Sequence, residues 1–213
     1  MNRRRMLQQM AVMAALGSPA LKALASHESG HGDYRELDNR VQTDADGRIE
    51  VIEFFHYGCP HCRDFHPLIM AWKEEQPDDV VFRAVPAIWD NDQLRGLATL
   101  YYALERAGYL DEVEEQIFVA VQDERRPLFT EDGAREWVAE QGIDADEFMD
   151  VYNSFSVQGL VRRADQLARS YRVQGVPTMA VDGRYITSAS MTGGHRQTLE
   201  VVDRLVERRR DEL

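Results

Sequence analysis

The sequence predicts an α/β fold, a central mixed sheet with an all-helical domain inserted into it. Three observations carry that prediction. Ile49-Glu50-Val51-Ile52-Glu53-Phe54-Phe55 is apolar on both alternating faces, as a central strand covered on both sides would be, and an amphipathic helical pattern follows it directly. Near the other end, the short runs Thr178 to Val181 and Arg184 to Ile186 flank Asp182-Gly183, a strong hairpin signal. Between them, residues 90–171 carry one helical pattern after another. At 213 residues, 44% hydrophobic and 29% charged, the chain is long enough to bury such a core, and collagen, low-complexity disorder and multi-domain arrays are excluded.

Residues 1–25 read as an export signal to be cleaved: a basic start, an apolar run from Met10 to Leu16, then Ala23-Leu24-Ala25 in the small-x-small pattern that precedes a cleavage site. The mature chain is expected to begin near Ser26. Arg3-Arg4-Arg5-Met6-Leu7-Gln8 resembles the twin-arginine export pattern, and a general secretory signal is the alternative. The terminal Arg210-Asp211-Glu212-Leu213 is similar to an endoplasmic-reticulum retention tail, which the bacterial-type start argues against. The apolar run is broken by Gly17, Ser18, Pro19 and Lys22, short of the ~20 residues a spanning helix needs, so a soluble protein is expected. The net charge of -12 includes Arg3, Arg4, Arg5 and Lys22; without them 21 basic residues face 37 acidic ones, a net charge of -16. A body that acidic repels phosphate backbones, which argues against nucleic acid as a partner.

The elements follow in order. Residues 34–42 are expected to supply an edge strand. The central strand ends at Tyr57-Gly58, and Pro60 suits the first turn of a helix, where its missing N–H costs nothing. Phe65, Leu68, Ile69 and Trp72 then repeat at i, i+3, i+4 and i+7 until Pro77. A strand over Val80 to Val85 comes next. Leu94, Leu97, Ala98, Tyr101 and Leu104 form the face of a helix that Gly108 can stop. Val113, Ile117 and Val121 mark a second helix, Thr130 can cap a third ending at Gly142, and Asp144 with Glu147 forms a capping-box pattern before Phe148, Val151 and Tyr152. Val157, Leu160, Val161, Ala164, Leu167, Ala168 and Tyr171 make a long amphipathic helix back to the sheet. A last helix carries Leu199, Val202, Leu205 and Val206, and its Arg208, Arg209 and Arg210 sit where cations complement a helix C-terminus.

Only two cysteines occur, Cys59 and Cys62, and random placement would put two cysteines three apart about 1% of the time. A bridge closing so short a loop removes little unfolded-state entropy, so structural stapling explains the pair poorly. Zinc is the next alternative, since Cys59, Cys62, His61 and His66 offer four donors. No second CxxC or HxxxH follows, however, and His61 lies inside the loop beside Pro60, where it does not readily close a tetrahedron. Redox chemistry fits better.

Cys59 falls at a helix N-terminus, where unpaired N–H groups and the macrodipole stabilise a thiolate, and a protonated His61 adds charge nearby. Cys62 shares the apolar stripe of Phe65 and Ile69. Cys59 is therefore expected to be the exposed nucleophile and Cys62 the buried resolving thiol. A stabilised Cys59 thiolate stabilises the reduced protein, which makes the disulfide a strong oxidant. Glu53 shares the face of Ile49, Val51 and Phe55; buried there, its carboxyl has a raised pKa and can exchange a proton with Cys62, whereas at a wet strand end it would be an ordinary surface acid. His56 and His66 read as surface or packing residues.

Glu53-Phe54-Phe55-His56-Tyr57-Gly58-Cys59-Pro60-His61-Cys62 resembles the DsbA family of thiol:disulfide oxidoreductases, including its CPHC motif. Gly175-Val176-Pro177-Thr178 resembles the segment in which thioredoxin-like folds place a cis-proline beside the active cysteines. The resemblance covers nearly the whole mature chain. It implies a thioredoxin-like domain over residues 26–89 and 172–213, with residues 90–171 as the helical insertion; the 114 residues between Cys62 and Pro177 leave room for it. It further implies Cys59 as the attacked sulfur, Cys62 as the resolving one, His61 as the main tuner of the potential, and a cis Pro177 that leaves backbone groups at Val176 free to pair with an extended client.

The expected function is that of a monomeric periplasmic disulfide oxidase, which donates its Cys59–Cys62 disulfide to reduced client proteins without a further cofactor or metal. The resemblance implies reoxidation by a quinone-linked membrane partner of the DsbB type. Alternatives are a disulfide isomerase or reductase, for which Ser26 to Gly47 is too short to be the usual dimerisation domain, and a non-catalytic zinc- or peptide-binding module. Fold relatives that conjugate glutathione generally replace this cysteine pair.

Overall fold

The computed structural model describes residues 32–213; the segment read as an export signal lies outside them. A five-stranded mixed sheet forms the centre, in the order β1-β5-β4-β2-β3. Strand β2 (Ile49–Phe55) is an interior strand, parallel to β3 (Val80–Pro86) and antiparallel to β4 (Thr178–Val181), which pairs in turn with β5 (Tyr185–Thr187). All seven residues of β2 are buried, as apolarity on both faces predicts. The expected edge strand over 34–42 shrinks to β1 (Arg35–Glu36), because beyond it only isolated bonds reach the sheet, Leu37 N–H to Arg184 O and Val41 N–H to Gly183 O. The hairpin turns through Asp182 (φ 47°) and Gly183 (φ 69°), the left-handed pair that a two-residue turn between twisted strands requires.

Helix α1 (Pro60–Glu74) starts at Pro60 and runs through Pro67. Cys62, Phe65, Ile69 and Trp72 form its buried stripe. Phe65, Ile69 and Trp72 of that stripe pack with Ile49 and Val51 of β2 and with Val201, Val202 and Leu205 of α8 (His195–Glu212), so α1 and α8 cover one face of the sheet. Ile52 and Phe54 point to the other face, where Phe54 meets Tyr171 with ring centroids 5.2 Å apart.

Five helices lie between β3 and β4: α2 (Asp92–Ala107), α3 (Leu110–Gln122), α4 (Glu131–Glu140), α5 (Ala145–Tyr152) and α6 (Phe155–Ser170). Their ends follow the predicted signals. Gly108 closes α2 at φ 81°, Thr130 accepts from Gly133 N–H at the start of α4, and Asp144 accepts from Asp146 and Glu147 N–H at the start of α5. Helix α4 stops two residues before Gly142. A short helix, α7 (Ala189–Thr192), precedes α8 and was not expected; with no buried residue it leaves no apolar period to read. The three arginines near the end of α8 are ion-paired through the fold and do more than complement a helix terminus: Arg209 reaches Asp182 at 2.7 Å, Arg210 reaches Asp79, and Arg208 donates to Tyr34 Oη. Among the described residues no helix is long and apolar enough to cross a membrane.

Candidate active site

Strand β2 delivers the chain to a tight turn, and Cys59 takes the N-cap position of α1 in an extended conformation (φ −95°, ψ 116°) with Pro60 as the first helical residue. Proline fits there because the first-turn N–H groups have no helical partner. The same vacancy leaves the backbone N–H groups of His61 and Cys62 facing the Cys59 sulfur, and the Cys62 thiol donates to it as well. These donors outweigh burial and bring the Cys59 thiol down to about 6, with the Cys62 hydrogen bond as the largest cause. The positive charge of His61 contributes least. The His61 ring is exposed, where water screens its charge, whereas the backbone donors are fixed against the sulfur.

Cys62 is held in the opposite sense. It is 1% exposed, and its hydrogen bond to Cys59, its burial and the nearby Glu53 all push its thiol up. The two sulfurs are thus unequal, as their helix positions predict. One detail differs: Cys59 is only 9% exposed, since the Val176 carbonyl oxygen lies 3.5 Å from its Sγ and covers it. Both cysteines are thiols here.

Glu53 lies in the middle of the sheet, opposite Ala84 on β3 and Met179 on β4, at 4% exposure. Among the described residues no cation is paired with it. Burial, then Glu114, then Cys59 hold its carboxyl well above the usual range. Beneath Cys62 is a cavity of about 390 Å³, lined by Glu53, Cys62, His66 and Glu114 among others. Glu114, from α3, is pushed up to about 7 by burial, against the hydrogen bond it accepts from Tyr57 Oη at 3.3 Å. His66 Nε2 stands 4.0 Å from Glu114, and its burial lowers the imidazole. His66 packs against Phe118, as a packing residue would, and its ring also borders this cavity. His56 packs edge-on against Trp89.

Sequence reasoning missed Glu114, Tyr57 and Gln122. The Gln122 Nε2 donates to the carbonyls of Tyr57 (2.7 Å) and Cys59 (3.1 Å), tying α3 to the active turn. A single polar residue on a helix facing a distant loop leaves no local signal. On the far side of the sulfur, the Val176–Pro177 peptide bond is cis. Val176 and Pro177 line a groove of about 550 Å³ that also includes His61 and His195. Among the described residues, no three His, Cys, Asp or Glu side chains converge on a point that could hold a metal ion.

The comparisons agree with this geometry. The family model of the DSBA-like thioredoxin domain matches residues 78–199. The thiol:disulfide interchange protein DsbA of Bordetella pertussis is 39% identical over 194 residues, 91% of this chain and 92% of the relative. The chain belongs to the DsbA family. The DsbA of Pseudomonas aeruginosa is 37% identical over 208 residues, covering 96% of this chain and 95% of that one. The crystal structure of the Pseudomonas aeruginosa DsbA superposes with a TM-score of 0.82 at 36% identity, over 85% of this chain and 94% of that chain. That of the oxidoreductase DsbA from Xylella fastidiosa gives 0.76 at 31% identity, over 84% and 96%. This DsbA-family chain is a thiol:disulfide oxidoreductase with the thioredoxin-like fold, and it carries the CPHC sequence at residues 59–62.

Proposed function

We infer that the protein is a periplasmic disulfide donor that oxidises reduced client proteins with its Cys59–Cys62 disulfide. The observation that carries this direction is the Cys59 thiol held at about 6 beside a Cys62 thiol that stays protonated. A client thiolate attacks Cys59 Sγ; the Cys59–Cys62 bond breaks, its electron pair leaves on Cys62 Sγ, and that sulfur takes up a proton, for which Glu53, bordering the same cavity, is the donor. The client's second thiolate then attacks the client sulfur of the mixed disulfide and expels Cys59 as a thiolate. The client gains a disulfide and the protein two electrons. A thiol of low pKa leaves fast, so release of oxidised client is favoured.

In this reading residues 26–89 and 172–213 carry the redox pair and the client groove, and residues 90–171 form a helical cover that contributes Glu114 and Gln122. The protein acts as a monomer and needs no cofactor beyond its own disulfide. It leaves the cytoplasm on the signal of residues 1–25, by the twin-arginine route, and a quinone-linked membrane partner of the DsbB type takes its electrons.

The test is the redox equilibrium of the purified protein against glutathione, with alkylation to count thiols. Each reduced protein should release one proton as Cys59 ionises, so its preference for the reduced form rises about tenfold per pH unit from about pH 6 up to the ordinary thiol range near 8.5. Below about pH 6 the dependence flattens. A pair that stays oxidised in strongly reducing mixtures would sink the donor reading.

A further inference from the structure

The groove beside Cys59 differs in charge from the rest of the molecule. The chain carries a net charge of -12, yet among the described residues no carboxylate lines this groove, while Arg35, His61, Arg172 and His195 all do. Its lining also includes the apolar Val176, Ile186 and Met191 and the hydroxyl-bearing Ser188 and Ser190. Four separate elements supply the basic groups. Arg35 comes from the edge strand β1, in register with Ile186, and its guanidinium donates to the Tyr171 carbonyl at 3.4 Å. Arg172 follows α6 and pairs with Asp38 at 3.2 Å across an exposed contact, with more than half of each side chain in water. His61 opens α1. His195 opens α8 with its ring stacked on Phe65 at 5.0 Å and 6.3 Å from that of His61. The nearby acids are Asp38, engaged with Arg172, and Asp64, which acts on His195 from outside the lining.

The geometry points to a client preference: the groove selects polypeptides that carry acidic side chains beside the reacting cysteine. This rests on the reading of the groove as the place where an extended client lies along Val176. Apolar contacts and backbone pairing fix such a segment without regard to charge; Arg35 and Arg172 then add a short-range attraction for carboxylates, which persists at salt concentrations that screen the molecule's long-range negative field. The net charge alone gives the opposite order, basic clients first. Local and global electrostatics therefore make opposite predictions.

The experiment measures the rate at which the oxidised protein forms a disulfide in three dithiol peptides, identical except that the residues flanking one cysteine are Glu, Gln or Lys, at about 0.15 M salt. The acidic peptide should react roughly fivefold faster than the neutral one, the size expected of two partly exposed ion pairs, and the basic peptide slowest. In R35Q/R172Q the acidic-to-neutral ratio should fall towards one, and in the charge-retaining R35K/R172K it should largely survive. Equal rates, a faster basic peptide, or a ratio untouched by R35Q/R172Q would overturn the preference. If the wild-type protein oxidises none of the three, the disulfide-donor reading itself falls, which the neutral peptide makes distinguishable.

Discussion

Strand β2 buries two glutamates three residues apart, and they live differently. Glu50 is 1% exposed and has a cation: Arg83 lies 3.0 Å away, and the Asp44 N–H also donates to its carboxylate. Burial still raises its carboxyl, but Arg83 opposes the rise. Glu53, on the other face, has Glu114 and Cys59 for neighbours, and each adds to what burial does. A buried acid with a partner holds structure together; one without a partner is kept neutral and becomes a proton reservoir. On one strand of the same sequence, the difference is made entirely by what the other elements bring to each face.

Removing the cation should break the comparison most severely. Arg83→Met strands Glu50 and should cost roughly 2 kcal/mol, less than a fully buried pair because a third of the Arg83 side chain is exposed. The loss should vanish as pH falls below about 4.5, where Glu50 is neutral in both states, and Glu50→Gln added to Arg83→Met should recover most of it. Denaturant unfolding across pH checks both. A smaller effect of opposite sign is expected at the unpaired acid. Because its folded-state pKa is raised, Glu53 penalises the native state only above its unfolded value, so Glu53→Gln should stabilise the protein by about 1 kcal/mol or more at pH 7 and by nothing at pH 4. The same variant should slow the exchange step about tenfold, since Cys62 loses its proton donor; stopped-flow oxidation of a dithiol peptide reads that, and an unchanged rate would remove Glu53 from the mechanism.

The smallest change concerns the active turn. His61→Ala should raise the Cys59 pKa and make the disulfide less oxidising, but by less than Cys62→Ala raises the pKa, because the backbone N–H groups remain while the Cys62 hydrogen bond is the largest cause. Thiolate absorbance against pH in the two reduced variants measures the order. A larger shift in His61→Ala would make the imidazole the principal tuner.

Much of the fold was legible along the chain. Gly108, Thr130 and Asp144 end or begin helices as their chemistry demands, and the Asp182-Gly183 turn needs only its own left-handed pair. The inequality of the two sulfurs was legible for the same reason: a helix N-terminus and its buried stripe are local geometry, set by Pro60 and by the spacing from Cys62 to Phe65 and Ile69. Less of the edge strand was legible, because pairing beyond Glu36 depends on where β5 turns away.

The sequence by itself determined the candidates for the chemistry: two cysteines three apart, a helix opening between them, and an acid on the strand behind. Only the tertiary structure decided what surrounds them. Glu114 and Gln122 reach the site from α3, the Val176 carbonyl covers Cys59 from 117 residues away, and Arg35 and Arg172 meet His61 and His195 in one groove. Periodicity and capping follow from contacts within a few residues, whereas a pKa or a groove's charge is the sum of groups that become neighbours only once the chain has packed.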